Sequence, residues 1–368
     1  MPDIYHGPLG AEKHFGTKNP LLRCDFSAGF NAETRKEFAH RRLCPKFMVT
    51  ILPNKTLGNQ TMSTQWQQIK PSDILTSEEQ HRLRQRSNWM GAWLLTHAWG
   101  TIAVAMALFA FFPNLLTFAI GVTLIGSRQL GLAILQHEAS HGMLFRSRRA
   151  NDLLGQWLAA SPNFINMKNY RIRHMAHHRF TRTDKDPENY LYTPFPVSKG
   201  SMGRKILRDF TGVSFVRTQF GLLRFIWGER KERWKRLRGF YGITVVFYAL
   251  FIAAFAAFGR MDLFLLMWLL PIMTTQQFFL RIRNIAEHAA VPDITDPLKN
   301  SRTTLAGPFE RMTFAPYFVN YHIEHHMVPF VPCWRLPEVH KIMLEKGFGE
   351  DMEISPGYRD IIRINAAA

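Results

Sequence analysis

Two long apolar blocks constrain this chain more than any other feature. The first runs from about Trp89 to Leu135 and is broken at Pro113-Asn114; the second runs from Phe240 to Leu280 and is broken at Gly259-Arg260-Met261-Asp262. Each half approaches the roughly 20 residues that a helix needs to cross a bilayer, and both breaks are tight-turn material. The blocks therefore predict two transmembrane hairpins with spans at about 89–112, 115–135, 240–258 and 263–280. His97, Thr123, Arg128, Gln129, Thr274, Gln276 and Gln277 lie inside these spans. They are costly in lipid and are expected to face the bundle interior or the interface.

An even number of spans puts the N-terminus, the 136–239 loop and the C-terminal tail on one side. The stretch Lys199–Arg238 holds twelve Lys/Arg against three acidic residues, while the short turns opposite carry almost no charge. The positive-inside rule makes the large side cytoplasmic, with both termini there. The same bias accounts for a net charge of +18 without any nucleic-acid partner. The basic stretch around Trp227 and Trp234 reads as an interfacial segment on anionic lipid. Three scattered cysteines, Cys24, Cys44 and Cys333, exclude a disulfide scaffold and a thiolate zinc site.

Residues 1–61 are polar and aperiodic. They are read as a disordered extension, or as lying upstream of a natural start at Met62. Residues 62–345 form the membrane domain and 346–368 a tail.

The fifteen histidines are not scattered. His137-Glu138-Ala139-Ser140-His141 follows the second span, His174-Met175-Ala176-His177-His178 lies in the loop, and His322-Ile323-Glu324-His325-His326 lies in the tail. His288 follows the fourth span. Residues i, i+3 and i+4 share a helix face, so each box can turn its imidazoles toward one centre. Imidazole suits iron, copper, nickel or zinc rather than calcium or magnesium. Nine ligands (His137, His141, His174, His177, His178, His288, His322, His325, His326) exceed one ion's coordination and fit two. Glu138, Glu287 and Glu324 adjoin these histidines, and Asp184, Asp186 and Glu188 follow the second box; each could accept a second imidazole N–H. Asn284 shares a helix face with His288 and could hold a metal-bound water. His97 reads as a buried, hydrogen-bonded residue; His6, His14, His40, His81 and His340 read as surface residues.

The boxes HEASH, HMAHH and HIEHH, with four spans around them, resemble those of the membrane fatty acid desaturase and hydroxylase superfamily. HMAHHRFTRTDKDPE and NYHIEHHMVPFVP are especially similar to the bacterial fatty acid desaturase branch, and the likeness covers roughly residues 70–345. It implies an all-α integral membrane enzyme with a cytoplasmic helical cap that carries the boxes. It further implies two non-haem Fe2+ ions, O2 as co-substrate, and His288 as the ligand outside the boxes. The implied reaction is desaturation of a long-chain acyl lipid or acyl thioester. Hydroxylation or ketolation of an alkane, carotenoid or other lipid is the nearest alternative. No HPGG haem signature, dinucleotide fingerprint or cysteine cluster is present in the chain. Electrons are therefore expected from a separate ferredoxin or cytochrome b5-like donor docked on the basic face. The third box begins with His322 rather than the Gln of front-end desaturases, which speaks against that type. Met267, Trp268, Thr275, Phe278 and Phe279 could line an acyl tunnel, but packing or lipid-facing roles are the simpler reading. A transporter with a histidine relay would place ligands near mid-membrane, and these lie beyond the spans. A third reading is a non-catalytic binding protein that keeps the dimetal fold.

Overall fold

The computed structural model describes residues 69–228 and 230–367, so the expectations for residues 1–61, with His6, His14 and His40, lie outside the described residues. Among the helices of the described residues, these concern the site: α1 Asn88–Phe111, α2 Leu115–His141, α3 Met167–Phe180, α4 Lys199–Phe210, α5 Val213–Trp227, α6 Arg233–Ala257, α7 Met261–His288, α8 His322–Met327, α9 Leu336–Glu345 and α10 Tyr358–Asn365. One parallel pairing of two-residue strands, β1 Thr303–Thr304 with β2 Ile354–Ser355, ties the tail to the segment before α8. The protein is all-α, as expected, and α1, α2, α6 and α7 are long and apolar enough to cross a membrane.

Local sequence sets the helix ends. The Ser87 side chain accepts from Met90 N, and Asn114 Oδ1 accepts from Leu116 N and Thr117 N, so the Pro113-Asn114 turn also starts α2. Gly142, at φ 76°, ends α2 immediately after His141. The helices run further than their apolar stretches: α2 continues through the first box and α7 continues to His288. Apolar composition marks the lipid-facing length of a helix, whereas its backbone bonds continue until a cap stops them.

Helices α2 and α7 lie side by side and run in the same direction. Thr275 Oγ1 donates to Val122 O at 2.8 Å, and a Cβ on Gly126 would stand 2.1 Å from Thr275 Oγ1, so only glycine permits this approach. Further along, Leu130 and Ile134 pack with Phe279, Ile282 and Ile285. The two helices therefore deliver His137, His141 and His288 to one end of the bundle. Pro271 lacks the N–H that would close a turn in α7, and a π-helical turn at Phe264–Leu269 precedes it. Gln129 Nε2 donates to the Trp268 carbonyl there at 2.9 Å.

Arg128, Gln129, Thr274 and Gln276 are buried, and Thr123 and Gln277 half-buried, as expected of polar residues in a bundle. His97 differs. It is hydrogen-bonded, to Tyr317 Oη at 3.1 Å, but stands on the exposed side of α1. Met267, Trp268 and Phe279 are core residues, and Trp268 stacks on Trp99 with ring centroids 5.5 Å apart. Thr275 and Phe278 are half-buried. Trp89, Val104, Phe111, Leu115 and Phe258 are exposed along the long helices, the surface lipid would cover.

Candidate metal centre

The nine predicted histidines converge in two groups, His137, His141, His174, His178 and His325 in one and His177, His288, His322 and His326 in the other, with the facing nitrogens of each group within 4.8 Å of one another. In α3 and α8 the i and i+4 members (His174 with His178, His322 with His326) share a group, while the i+3 member (His177, His325) joins the other. The sequence reading sent each box to one centre. At about 100° per residue, i+3 and i+4 fall on opposite sides of i, so one helix can serve two centres.

The nitrogens that meet are Nε2. His141 and His174 approach at 3.0 Å, His174 and His178 at 3.0 Å, and His178 and His325 at 3.1 Å. In the second group His288 and His322 approach at 2.9 Å and His322 and His326 at 3.2 Å. The opposite ring nitrogens explain why these atoms present lone pairs. His177 Nδ1 donates to Asp186 Oδ1 at 3.0 Å, His288 Nδ1 to Asn300 O at 3.1 Å, and His137 Nδ1 faces Glu138 Oε1 at 3.3 Å. His137 Nε2 is buried without a partner. Lone pairs crowded this closely repel unless a cation lies among them. An ion held at about 2.1 Å by imidazole sets neighbouring ligand nitrogens about 3.0 Å apart at right angles and about 3.4 Å apart at tetrahedral ones, and the spacing found lies close to the right-angled case. The donor set therefore fits two nitrogen-preferring metal ions.

Burial keeps His174, His178, His322, His325 and His326 well below the ordinary imidazole pKa, and neighbouring histidines push the same way. Neutral imidazole is the form that binds a metal. Burial opposes ionisation of Asp186, but its bonds to His177 and Tyr192 prevail and hold its pKa below the usual carboxylate value.

The acidic candidates separate. Asp186 is buried and accepts from His177, Tyr192 Oη, Arg182 N and Glu188 N. Asp184 is exposed, so it does not support an imidazole. Glu188 pairs with Arg173, and Glu138 also accepts from Cys333 N at 2.9 Å. Glu287 pairs with Arg283 and lies 3.5 Å from His322 Nε2. Glu324 turns away from the box and accepts from Thr303 Oγ1 and His340 Nδ1. His340 is thus half-buried and paired rather than a surface residue; His81 is exposed as expected. Asn284 lines a small cavity beside the second group with His177, His288, His322, Glu188 and Glu287. Sequence reasoning missed Tyr192, Asn300 and Arg302. None lies in a box, and their roles arise only when distant segments meet.

The ends of α2 and α7 are each closed by a buried or half-buried arginine. Arg171 donates to Ser140 O at 2.8 Å and Ala139 O at 3.3 Å on α2. Arg302, 1% exposed, donates to Ala286 O at 3.3 Å, Ala289 O at 3.0 Å and Ala290 O at 3.0 Å on α7.

Four helices apolar enough to span a membrane, with two polyhistidine groups gathered at the ends of α2 and α7, define a membrane protein whose histidine clusters could each hold a metal ion. A model of the fatty acid desaturase family matches residues 113–353, and the chain belongs to that family. Curated relatives include a dihydrorhizobitoxine desaturase of Bradyrhizobium elkanii, 27% identical over 293 residues that cover 74% of this chain and 78% of the relative. A β-carotene ketolase of a Paracoccus species is 31% identical over 260 residues, 67% of this chain and 87% of the relative. A chloroplastic omega-6 fatty acid desaturase of Spinacia oleracea is 23% identical over 292 residues, 69% of this chain and 61% of the relative.

Proposed function

We propose that the protein is an O2-dependent lipid desaturase whose nine histidines hold two iron ions. The convergence of all nine imidazoles, Nε2 inward, in two adjoining groups carries this reading. Iron bound there would supply the oxygen-dependent chemistry that removes hydrogen from an unactivated C–H bond. The chain's own residues do the rest. Asp186, Glu138 and the Asn300 carbonyl fix imidazole tautomers and ring directions. Tyr192 donates to Asp186 and holds that carboxylate in place. Asn284 is set to hold a water beside the second group. Burial of six of the nine histidines and half-burial of His141, His178 and His326 keep bulk water from the reacting carbon.

The substrate is a long-chain acyl lipid or acyl thioester, reached from the bilayer. A basic surface at the histidine end suits a separate acidic electron carrier of the ferredoxin or cytochrome b5 kind. By the positive-inside rule that end, with both termini, faces the cytoplasm, and the likeness of its boxes to the bacterial desaturase branch makes the membrane a bacterial inner one. Ketolation or hydroxylation is the second reading, favoured by the 31% identical Paracoccus protein named a β-carotene ketolase.

Expression in a host of simple lipids, followed by mass spectrometry, decides between the two. Loss of two hydrogens with no oxygen gained supports desaturation; an oxygen gained, with loss of two hydrogens (a ketone) or without it (an alcohol), overturns it in favour of the second reading. Purified protein should carry about two irons per chain. His177→Ala and His325→Ala should each abolish turnover while leaving membrane insertion intact, and full turnover in either would refute the ligand set.

A further inference from the structure

Arg128 is the residue hardest to account for by the site. It sits well inside α2, is 5% exposed, and its Nε has no partner. An arginine at membrane depth is costly and needs a compensating role. Its Nη2 donates to Met312 O at 2.7 Å and to Ser127 Oγ at 2.8 Å, and Ser127 Oγ also donates to Met312 O. The carbonyl it serves ends a five-residue helix, Pro308–Met312, in the otherwise irregular stretch between β1 and α8. Five residues on, Tyr317 reaches α1 through His97 at 3.1 Å, and its ring fills the space over Gly131 on α2.

These contacts measure depth twice. Arg128 is thirteen residues past Leu115, at the start of α2, and His97 is fourteen before Phe111, at the end of α1. At 1.5 Å per residue both lie about 20 Å below the hairpin tip. The tip itself is apolar, with Phe111, Phe112 and Leu115 exposed. In a hydrocarbon layer about 30 Å thick, Met312 and Tyr317 therefore stand about 10 Å inside the boundary on the histidine side.

We infer that the segment 305–318 is a re-entrant element that dips into the bilayer leaflet beside the histidine groups, covered by lipid acyl chains. Its outward residues suit that cover: Leu305 is 45%, Phe309 59% and Met312 43% exposed. Irregular backbone survives at this depth only when its polar groups are satisfied. Ser127 and Arg128 do this for Met312 O, while Thr313 and Ala315 bond back to Phe309 and Glu310. Arg311, exposed between them, turns back so that Nε donates to Ala306 O at 3.2 Å, in the manner of a cation reaching for the interface. Tyr317 and Phe318, at φ 55° and 62°, then return the chain toward α8. Non-glycine residues in this region are strained, so the packing of Tyr317 against α1 and α2 holds the return in place.

The inference rests on reading the four helices as spans, and the test separates the two. Nitroxide labels are placed at Phe309→Cys and Met312→Cys, each in the full chain carrying Cys24→Ser and Cys44→Ser, in phosphatidylcholine vesicles. Val104→Cys, on the outer surface of α1, serves as the lipid reference, and Ile294→Cys, in the loop after α7, as the aqueous one; these positions are 69% and 47% exposed. Collision with dissolved oxygen should exceed collision with a water-soluble nickel chelate at Phe309 and Met312, as at Val104. Preferential nickel access at both sites, with Val104 still in lipid, overturns the re-entrant element alone. Nickel access at Val104 as well overturns the span reading and this inference with it. The four substitutions lie on exposed positions, so each labelled chain keeps its packing.

Discussion

Asp184 and Asp186 stand two positions apart in one acidic run, yet only Asp186 reaches an imidazole. In Asp186→Asn the amide can no longer serve as the charged acceptor for His177 Nδ1–H, and metal affinity should fall about 10–100-fold. Asp184→Asn should change nothing. Iron titration followed by elemental analysis compares the two; equal loss in both would refute the assigned role of Asp186. The pair also shows how far the sequence could be read. The nine histidines are legible because their spacing survives any tertiary arrangement. Which carboxylate backs which ring is not, because it depends on the turn at 181–192 that folds Asp186 and Tyr192 onto α3. His340 fails for the same reason: its partner, Glu324, is sixteen residues away.

Helix ends decide whether the ligands arrive. Arg302 closes the carbonyls at the end of α7, and removal of a buried donor from several acceptors costs about 1–3 kcal/mol per group left unpaired. Arg302→Met should therefore lower the thermal unfolding midpoint of detergent-purified protein by several degrees and reduce iron retention, since His288 lies at that end. An unchanged midpoint would refute the capping role. The approach of α2 to α7 gives a second test. Gly126→Leu drives a side chain into Thr275 and should lower the yield of folded protein on size-exclusion chromatography. Gly100→Ala, with nothing within 4 Å of the added Cβ, should be tolerated. Apolar run length located the four long helices, since it is a local property. It stopped α2 short of its box and α7 short of His288, because the polar histidine turns carry no hydropathy signal although the backbone bonding continues.

Across the whole molecule, α2, α3, α7 and α8 bring their histidines together at one end of the bundle, and the ions would bind the folded arrangement in preference to the unfolded one. Ligand that binds only the native state adds RT ln(1 + [L]/Kd), about 2.7 kcal/mol at a hundredfold excess over Kd. Chelation should accordingly lower the unfolding midpoint and expose the segment between α3 and α4 to protease; an apoprotein as stable as the loaded one would count against metal binding here. Since α3 and α8 each contribute to both groups, neither position is built from a module that can settle alone. A chain with one ion present would already have those two helices aligned for its neighbour. Uptake of ferrous iron is thus expected to follow one steep curve with a Hill coefficient above unity, the second ion entering a cradle that the first has set.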